Sequence, residues 1–98
     1  MQRIQTRKPT NPGVILKEMY LKEHKLGISQ FAQLTGLHRK TVSSIINGHT
    51  SITADSALAI SQILNTTPEL WLNLQNKVDL HQARRRRQLK VEENVSLK

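Results

Sequence analysis

Residues 28–48 read I-S-Q-F-A-Q-L-T-G-L-H-R-K-T-V-S-S-I-I-N-G, and this stretch decides the fold. It predicts two short helices joined by a tight turn at Gly36, which is a helix-turn-helix. Ala32 is small, as a close crossing of the two helices requires, and Gly36 tolerates the positive φ of such a turn. Further apolar residues fall at positions that can face a core and set the interhelical angle: Phe31, Leu37, Val42 and Ile45.

The outward face of the second helix of this pair is polar and basic. In a helix-turn-helix, the N-terminal part of this helix enters the major groove of DNA. Arg and Lys donate to guanine O6 and N7, and Ser and Thr bond to base edges or phosphates. We therefore predict base readout by Arg39, Lys40 and Ser44, and contacts to the DNA backbone by Gln30, Thr41, Ser43 and Asn47. The alternative is that Arg39 and Lys40 are ordinary solvated charges, since similar helix pairs occur in proteins that bind no DNA.

The flanking segments predict three further helices. The boundaries of all five helices follow from capping residues and from residues that tolerate a left-handed backbone. The helices are predicted to start at Asn11, Ser29, His38 or Arg39, Thr53 and Thr67, and to end at Gly27, Gly36, Gly48 and Asn65. No segment alternates with the period of a strand. The chain is therefore predicted to be an all-α, five-helix, lambda-repressor-like helix-turn-helix domain.

Charge and helix signals divide the chain into three parts. Residues 1–10 hold three cations and no acid, and we expect them to form a flexible basic arm. Residues 11–83 are expected to form the helix-turn-helix DNA-binding and dimerisation domain. Residues 84–98 open with four arginines and are expected to form a basic C-terminal tail that frays over residues 91–98.

Composition narrows the classes of function. The chain has 98 residues and a formal charge of +8, which favours a polyanionic partner, and we predict nucleic acid rather than a membrane. Cysteine is absent, which excludes thiolate metal sites and fits a cytoplasmic protein. The sequence shows no catalytic triad, phosphate-binding glycine loop or clustered histidines. We therefore predict no enzymatic activity, no metal and no cofactor.

The predicted fifth helix carries an apolar stripe with a spacing close to seven residues. Trp71, Leu74 and Val78 form it, and we predict that they contribute to a dimer interface. The alternative is an intramolecular core. A dimer would place two recognition helices about 34 Å apart, one turn of DNA.

Four segments together resemble the HigA antitoxins, the Xre-type repressors also called virulence-associated protein I. They are N-P-G-V-I-L-K-E at 11–18, the helix-turn-helix at 28–48, S-I-T-A-D-S-A-L-A-I at 51–60 and T-P-E-L-W-L-N-L-Q at 67–75. The resemblance covers roughly residues 11–83. The helix-turn-helix alone would indicate only a Cro-like repressor, and the last two segments make the resemblance more specific.

The resemblance implies a homodimeric antitoxin that binds a palindromic operator, represses its own operon and neutralises a HigB-type toxin, an mRNA endonuclease. It transfers no role to Arg84–Arg87 or to the basic arm. The alternatives are a phage-type repressor without a toxin partner, a basic RNA-binding module, and a scaffold that only occludes a toxin.

Overall fold

The computed structural model describes residues 8–96, with side chains to residue 93, and this part of the chain is helical without a strand. The helices are α1 (Pro12–Ile15), continued by a π-helical segment (Leu16–Leu21), α2 (Ile28–Thr35), α3 (Arg39–Ile46), α4 (Ala54–Leu64) and α5 (Pro68–Ser96). This confirms the predicted all-α, five-helix fold. Of the predicted basic arm, residues 1–7 lie outside the described residues.

Local capping explains where several helices begin and end. The Asn11 Oδ1 accepts a hydrogen bond from the Gly13 N–H at 2.9 Å and so starts α1. Thr53 and Ser56 form a capping box at α4, in which each side chain accepts from the other's backbone N–H, at 3.2 and 2.9 Å. Asn65 ends α4 in the left-handed region, at φ 58°. These three predictions are confirmed.

The first helix differs from the prediction that it runs to Gly27. Its regular part is followed by the π-helical segment, in which the Lys22 N–H donates to the Lys17 carbonyl at 3.1 Å. Leu16 and Leu21 are both buried. Five residues of an α-helix turn through about 500°, which would place these two side chains on different sides. The wider π turn brings both to the core, and the helix ends there, before Lys25 takes a φ of 53°.

The second helix begins two residues earlier than the predicted Ser29 cap allows. Gly27 is its N-cap, and the Gln30 Oε1 accepts a hydrogen bond from the Gly27 N–H at 3.0 Å. Because glycine has no side chain, only this half of a capping box is made. Ser29 lies inside the first turn, where its hydroxyl accepts a hydrogen bond from Arg39.

The core joins all five helices around large apolar side chains. Leu16, Phe31, Val42, Ile60 and Trp71 are each no more than 1% exposed. The α4 helix packs on α5, and α2 packs on both α3 and α4.

A buried glutamine ties the loop before α4 to α5. The Gln75 Oε1 accepts from the Ile52 N–H at 2.9 Å, and its Nε2 donates to the Asp79 Oδ1 at 3.1 Å. Both ends of this buried amide are thereby satisfied.

The last helix is much longer than its packed part. Its 29 residues extend about 44 Å at 1.5 Å per residue. The last buried side chain is Val78, and every described side chain from Arg84 onwards is exposed. The prediction that residues 91–98 fray is wrong for residues 91–96, which continue the helix, and residues 97–98 lie outside the described part. Arg, Gln, Leu, Lys and Glu make up all but one of residues 84–93, and all are good helix formers.

Candidate nucleic-acid interface

The turn between α2 and α3 has the geometry that the sequence predicts. Gly36 takes a φ of 80°. The Thr35 hydroxyl donates to the Phe31 carbonyl at 2.9 Å and accepts from the Leu37 N–H at 3.3 Å, which fastens the turn to the end of α2. Phe31, Ala32, Val42 and Ile45 are buried, so the angle between the helices is set by core packing. The helix pair thus presents α3 on a rigid support.

The α3 helix, hereafter the recognition helix, has one buried and one accessible side. Val42, Ile45 and Ile46 face the core. The residues predicted to meet DNA lie on the other side: Arg39, Lys40 and Asn47 are exposed, and Thr41, Ser43 and Ser44 are partly exposed.

An open concavity brings part of the predicted site together. Lys40, Thr41 and Ser44 line it, with His38 before the recognition helix and Thr50 in the loop that follows. The lining consists of one cation and several hydroxyls, the groups that bond base edges and phosphates. Thr50 was not singled out from the sequence, because it reaches this surface only through the return of the α3–α4 loop.

Arg39 lies at the junction of the two helices rather than within this concavity. Its Nε donates to the Ser29 Oγ at 2.8 Å, so the predicted base reader is tethered to the first turn of α2. A guanidinium has five N–H donors, and this bond uses one. The other four donors are left for further partners, and Gln30, the residue predicted to hold a phosphate, directly follows Ser29 in α2. The amide oxygen of Gln30 is used by its bond to Gly27, which leaves its NH₂ group as the donor for a phosphate.

The C-terminal end of the recognition helix adjoins a groove with a basic rim. Asn47 donates from Nδ2 to the Ser43 Oγ at 3.4 Å, so these two predicted backbone contacts are neighbours. Asn47 also lines a groove with an apolar floor and three lysines, Lys17, Lys22 and Lys25. Lys22 pairs with Glu18 at 2.8 Å, and its hydrogen bond and charge lower the pKa of the Glu18 carboxyl. The lysines were not singled out from the sequence, because the π-helical segment and the turn after it approach the recognition helix only in the fold.

A glycine controls how closely α1 approaches the recognition helix. A Cβ on Gly13 would overlap the Ile45 carbonyl oxygen and lie 2.9 Å from the Ile46 Cα. Only glycine therefore fits at this crossing, a requirement that is not apparent from the sequence.

The predicted dimer seam is only partly available at the surface. Trp71 is fully buried, its ring meets Tyr20 edge-on with centroids 5.4 Å apart, and its Nε1 donates to the Thr66 Oγ1 at 2.8 Å. Val78 is buried as well. Both side chains are buried within a single chain and so present little surface to a partner, and their part in a dimer interface stays a prediction. Leu74 is partly exposed and remains a candidate.

A metal site requires clustered ligand side chains, and insertion into a membrane requires a long apolar helix. Among the described residues, no group of three or more His, Asp or Glu side chains is arranged to hold a metal ion. Within residues 8–96, no helix is long and apolar enough to cross a membrane.

Comparison with known proteins agrees with this geometry. The model of a helix-turn-helix family matches residues 18–71, more than half of the chain. An uncharacterized HTH-type transcriptional regulator of Haemophilus influenzae is 47% identical over 75 residues, which cover 76% of this chain and 70% of that protein. Fold and sequence thus define a helix-turn-helix protein of the transcription-regulator class.

Two further similarities specify the family. Antitoxin HigA-1 of Vibrio cholerae is 40% identical over 82 residues, 84% of this chain and 77% of that protein. The solved structure of the antitoxin GraA in complex with its operator has a TM-score of 0.81 and 34% identity, and the match covers 94% of this chain and 93% of that one. The chain belongs to the HigA antitoxin family of helix-turn-helix proteins.

Proposed function

We propose that the chain binds operator DNA as a homodimer, represses its own operon and neutralises a HigB-type toxin. The observation that carries the DNA-binding part is the concavity on the recognition helix, where Lys40, Thr41 and Ser44 are accessible together. The opposite face of the recognition helix is buried in the core, which fixes the helix that carries these side chains. The helix therefore need not become ordered when DNA binds. The GraA structure supports the proposal, since a chain of this fold binds an operator.

In this proposal, the roles of the site residues follow their positions. Lys40 and Ser44 read base edges, and Arg39 reads a base from the junction of the two helices. Four residues hold the DNA backbone: Gln30 through its NH₂ group, Thr41 and Ser43 through their hydroxyls, and Asn47. Phosphate contacts set the register, and base contacts supply the sequence preference.

The toxin partner is proposed from family membership, and the HigA-1 relative supports it. The basic patches of this chain suit nucleic acid, so we assign them no part in toxin binding. Co-expression with the protein encoded by the neighbouring gene, followed by purification through a tag on that protein, tests this part. A stoichiometric complex is expected for an antitoxin, and its absence favours a repressor without a toxin partner.

The test of DNA binding compares three nucleic acids across a salt series. The purified chain is titrated against duplex DNA from its own upstream region, a scrambled duplex and single-stranded RNA, with fluorescence anisotropy as readout. We expect the upstream duplex to bind most tightly, with the advantage retained as salt rises. Equal, salt-sensitive binding to all three would contradict operator recognition and favour the RNA-binding alternative.

A further inference from the structure

The four arginines of the α5 extension form a continuous run of exposed positive charge. Arg84–Arg87 are all exposed. The ion pair between Lys22 and Glu18 lies far from them in the chain, on the first helix. Successive residues of an α-helix point about 100° apart, so the four guanidinium groups are distributed around the helix. They therefore do not act as one patch, and each side of α5 must be considered separately.

One side of α5 faces the loop that follows the recognition helix. Gln75, Asp79 and Gln82 line a polar concavity together with Asn11 and the loop residues 48–51. At 100° per residue, Arg85 and Arg86 continue this side of α5 one turn beyond Gln82. Arg84 and Arg87 lie on the opposite side.

The same loop also borders the DNA-facing concavity. Thr50 lines both concavities, the one with Lys40 and Ser44 and the one with Gln82. Arg85 and Arg86 follow Gln82 by about 4.5–6 Å along the helix axis, and an arginine side chain can bridge that distance back toward the loop. Three acids share this side of α5: Asp79 lies two turns before Arg86 and accepts a bond from Gln75, and Glu92 and Glu93 lie two turns beyond Arg85 and Arg86. The positive charge is therefore placed beside the recognition surface.

We propose that Arg85 and Arg86 bind backbone phosphates of DNA flanking the bases that the recognition helix reads. This inference rests on the proposed operator binding. Guanidinium groups suit phosphate because their planar donors form paired, charge-assisted hydrogen bonds. Adjacency to the recognition surface through Thr50 favours duplex DNA over RNA or an acidic protein as the polyanion.

The chain offers a matched control, because the other two arginines carry the same charge on the other side of the helix. The double variants R85A/R86A and R84A/R87A are titrated with upstream duplex, scrambled duplex and single-stranded RNA across a salt series. For R85A/R86A we expect the slope of log affinity against log salt to become less steep by about one for each phosphate that is no longer bound. The preference for the upstream duplex stays unchanged, because phosphate contacts do not read sequence. R84A/R87A should keep a slope close to that of the unmodified chain.

Equal changes in the two double variants would overturn the inference, because net charge alone would then explain them. A larger loss on single-stranded RNA than on duplex DNA would also overturn it. The helical circular dichroism of both variants should match that of the unmodified chain, since all four side chains are exposed. If the unmodified chain shows no preference for its upstream duplex, the proposed operator binding fails, whereas the two variants can still be compared on scrambled duplex.

Discussion

Arg39 shows how one side chain at the recognition surface connects two helices. Its bond to Ser29 fixes the guanidinium beside the start of α2, so the group is already oriented before any DNA is bound. Fixing an arginine before binding reduces the side-chain entropy lost in the complex. We infer that this bond positions the base reader.

Arg39→Ala should weaken binding to upstream duplex by about 1–3 kcal/mol and relax specificity at one base pair. The measurement is anisotropy on a set of duplexes with single base-pair changes. Ser29→Ala keeps the guanidinium and removes only its tether, so a smaller loss is expected. Equal losses on upstream and scrambled duplex in Arg39→Ala would contradict base readout.

Gly13→Ala should destabilise the domain, because the new methyl group would overlap the Ile45 backbone. Overpacking of this kind costs about 1–3 kcal/mol, measured by denaturant unfolding. The control is Gly27→Ala, where the nearest atom to an added Cβ is the Gln30 Oε1 at 3.8 Å and the expected cost is below about 1 kcal/mol. Similar costs for the two variants would show that the α1 crossing is not tightly packed.

At this scale, the sequence predicts residues whose role is local. Gly36, Ala32, Val42 and Ile45 could be identified because a helix-turn-helix requires them at fixed spacing. Gly13 and the Ser29–Arg39 bond could not, because both depend on contacts between segments that are distant in the chain. Whether the seven predicted DNA-binding residues contact DNA stays a prediction.

Among the elements, α5 combines a packed half with an exposed extension. Removal of residues 84–98 should leave the thermal unfolding midpoint nearly unchanged, because the described side chains in this part are exposed. The helical circular dichroism signal should fall in proportion to the number of helical residues that are removed. A large drop in the midpoint would show that the extension stabilises the domain, and would contradict the predicted boundary after residue 83.

Helix starts with a capping side chain were predictable, whereas the special features of the helices were not. Asn11 and Thr53 carry short-range signals that the structure confirms. The π-helical segment was missed because its apolar spacing also fits an ordinary helix, and only the joint burial of Leu16 and Leu21 reveals it. The end of α5 was placed too early because a run of charges resembles a solvated tail.

For the whole molecule, the proposed dimer depends on the side of α5 that remains exposed. Leu74→Glu should shift the chain from dimer to monomer in sedimentation experiments, because a charge at a desolvated interface is costly. Leu80→Glu is the control on another side of α5, where Leu80 is 50% exposed, and should leave assembly unchanged. A stable Leu74→Glu dimer would place the interface elsewhere. Circular dichroism should verify folding, because Leu74 also packs partly against the core.

The sequence distinguishes least well between residues of the core and residues of a dimer interface. A seven-residue apolar spacing is shared by core-facing stripes and dimer seams, so Trp71 and Val78 could not be assigned from their pattern. In the fold, α1 and α4 pack on α5, and both residues are buried within one chain.

The most direct test of a dimeric operator-binding protein is a hydroxyl-radical footprint on its upstream duplex. We expect two protected segments related by two-fold symmetry, on one face of the DNA, with centres about 34 Å apart. Lys40→Ala should weaken both segments equally, because each protomer contributes the same recognition helix. Uniform protection along the duplex that disappears with moderate salt would contradict the account, since the basic segments alone would then hold the DNA.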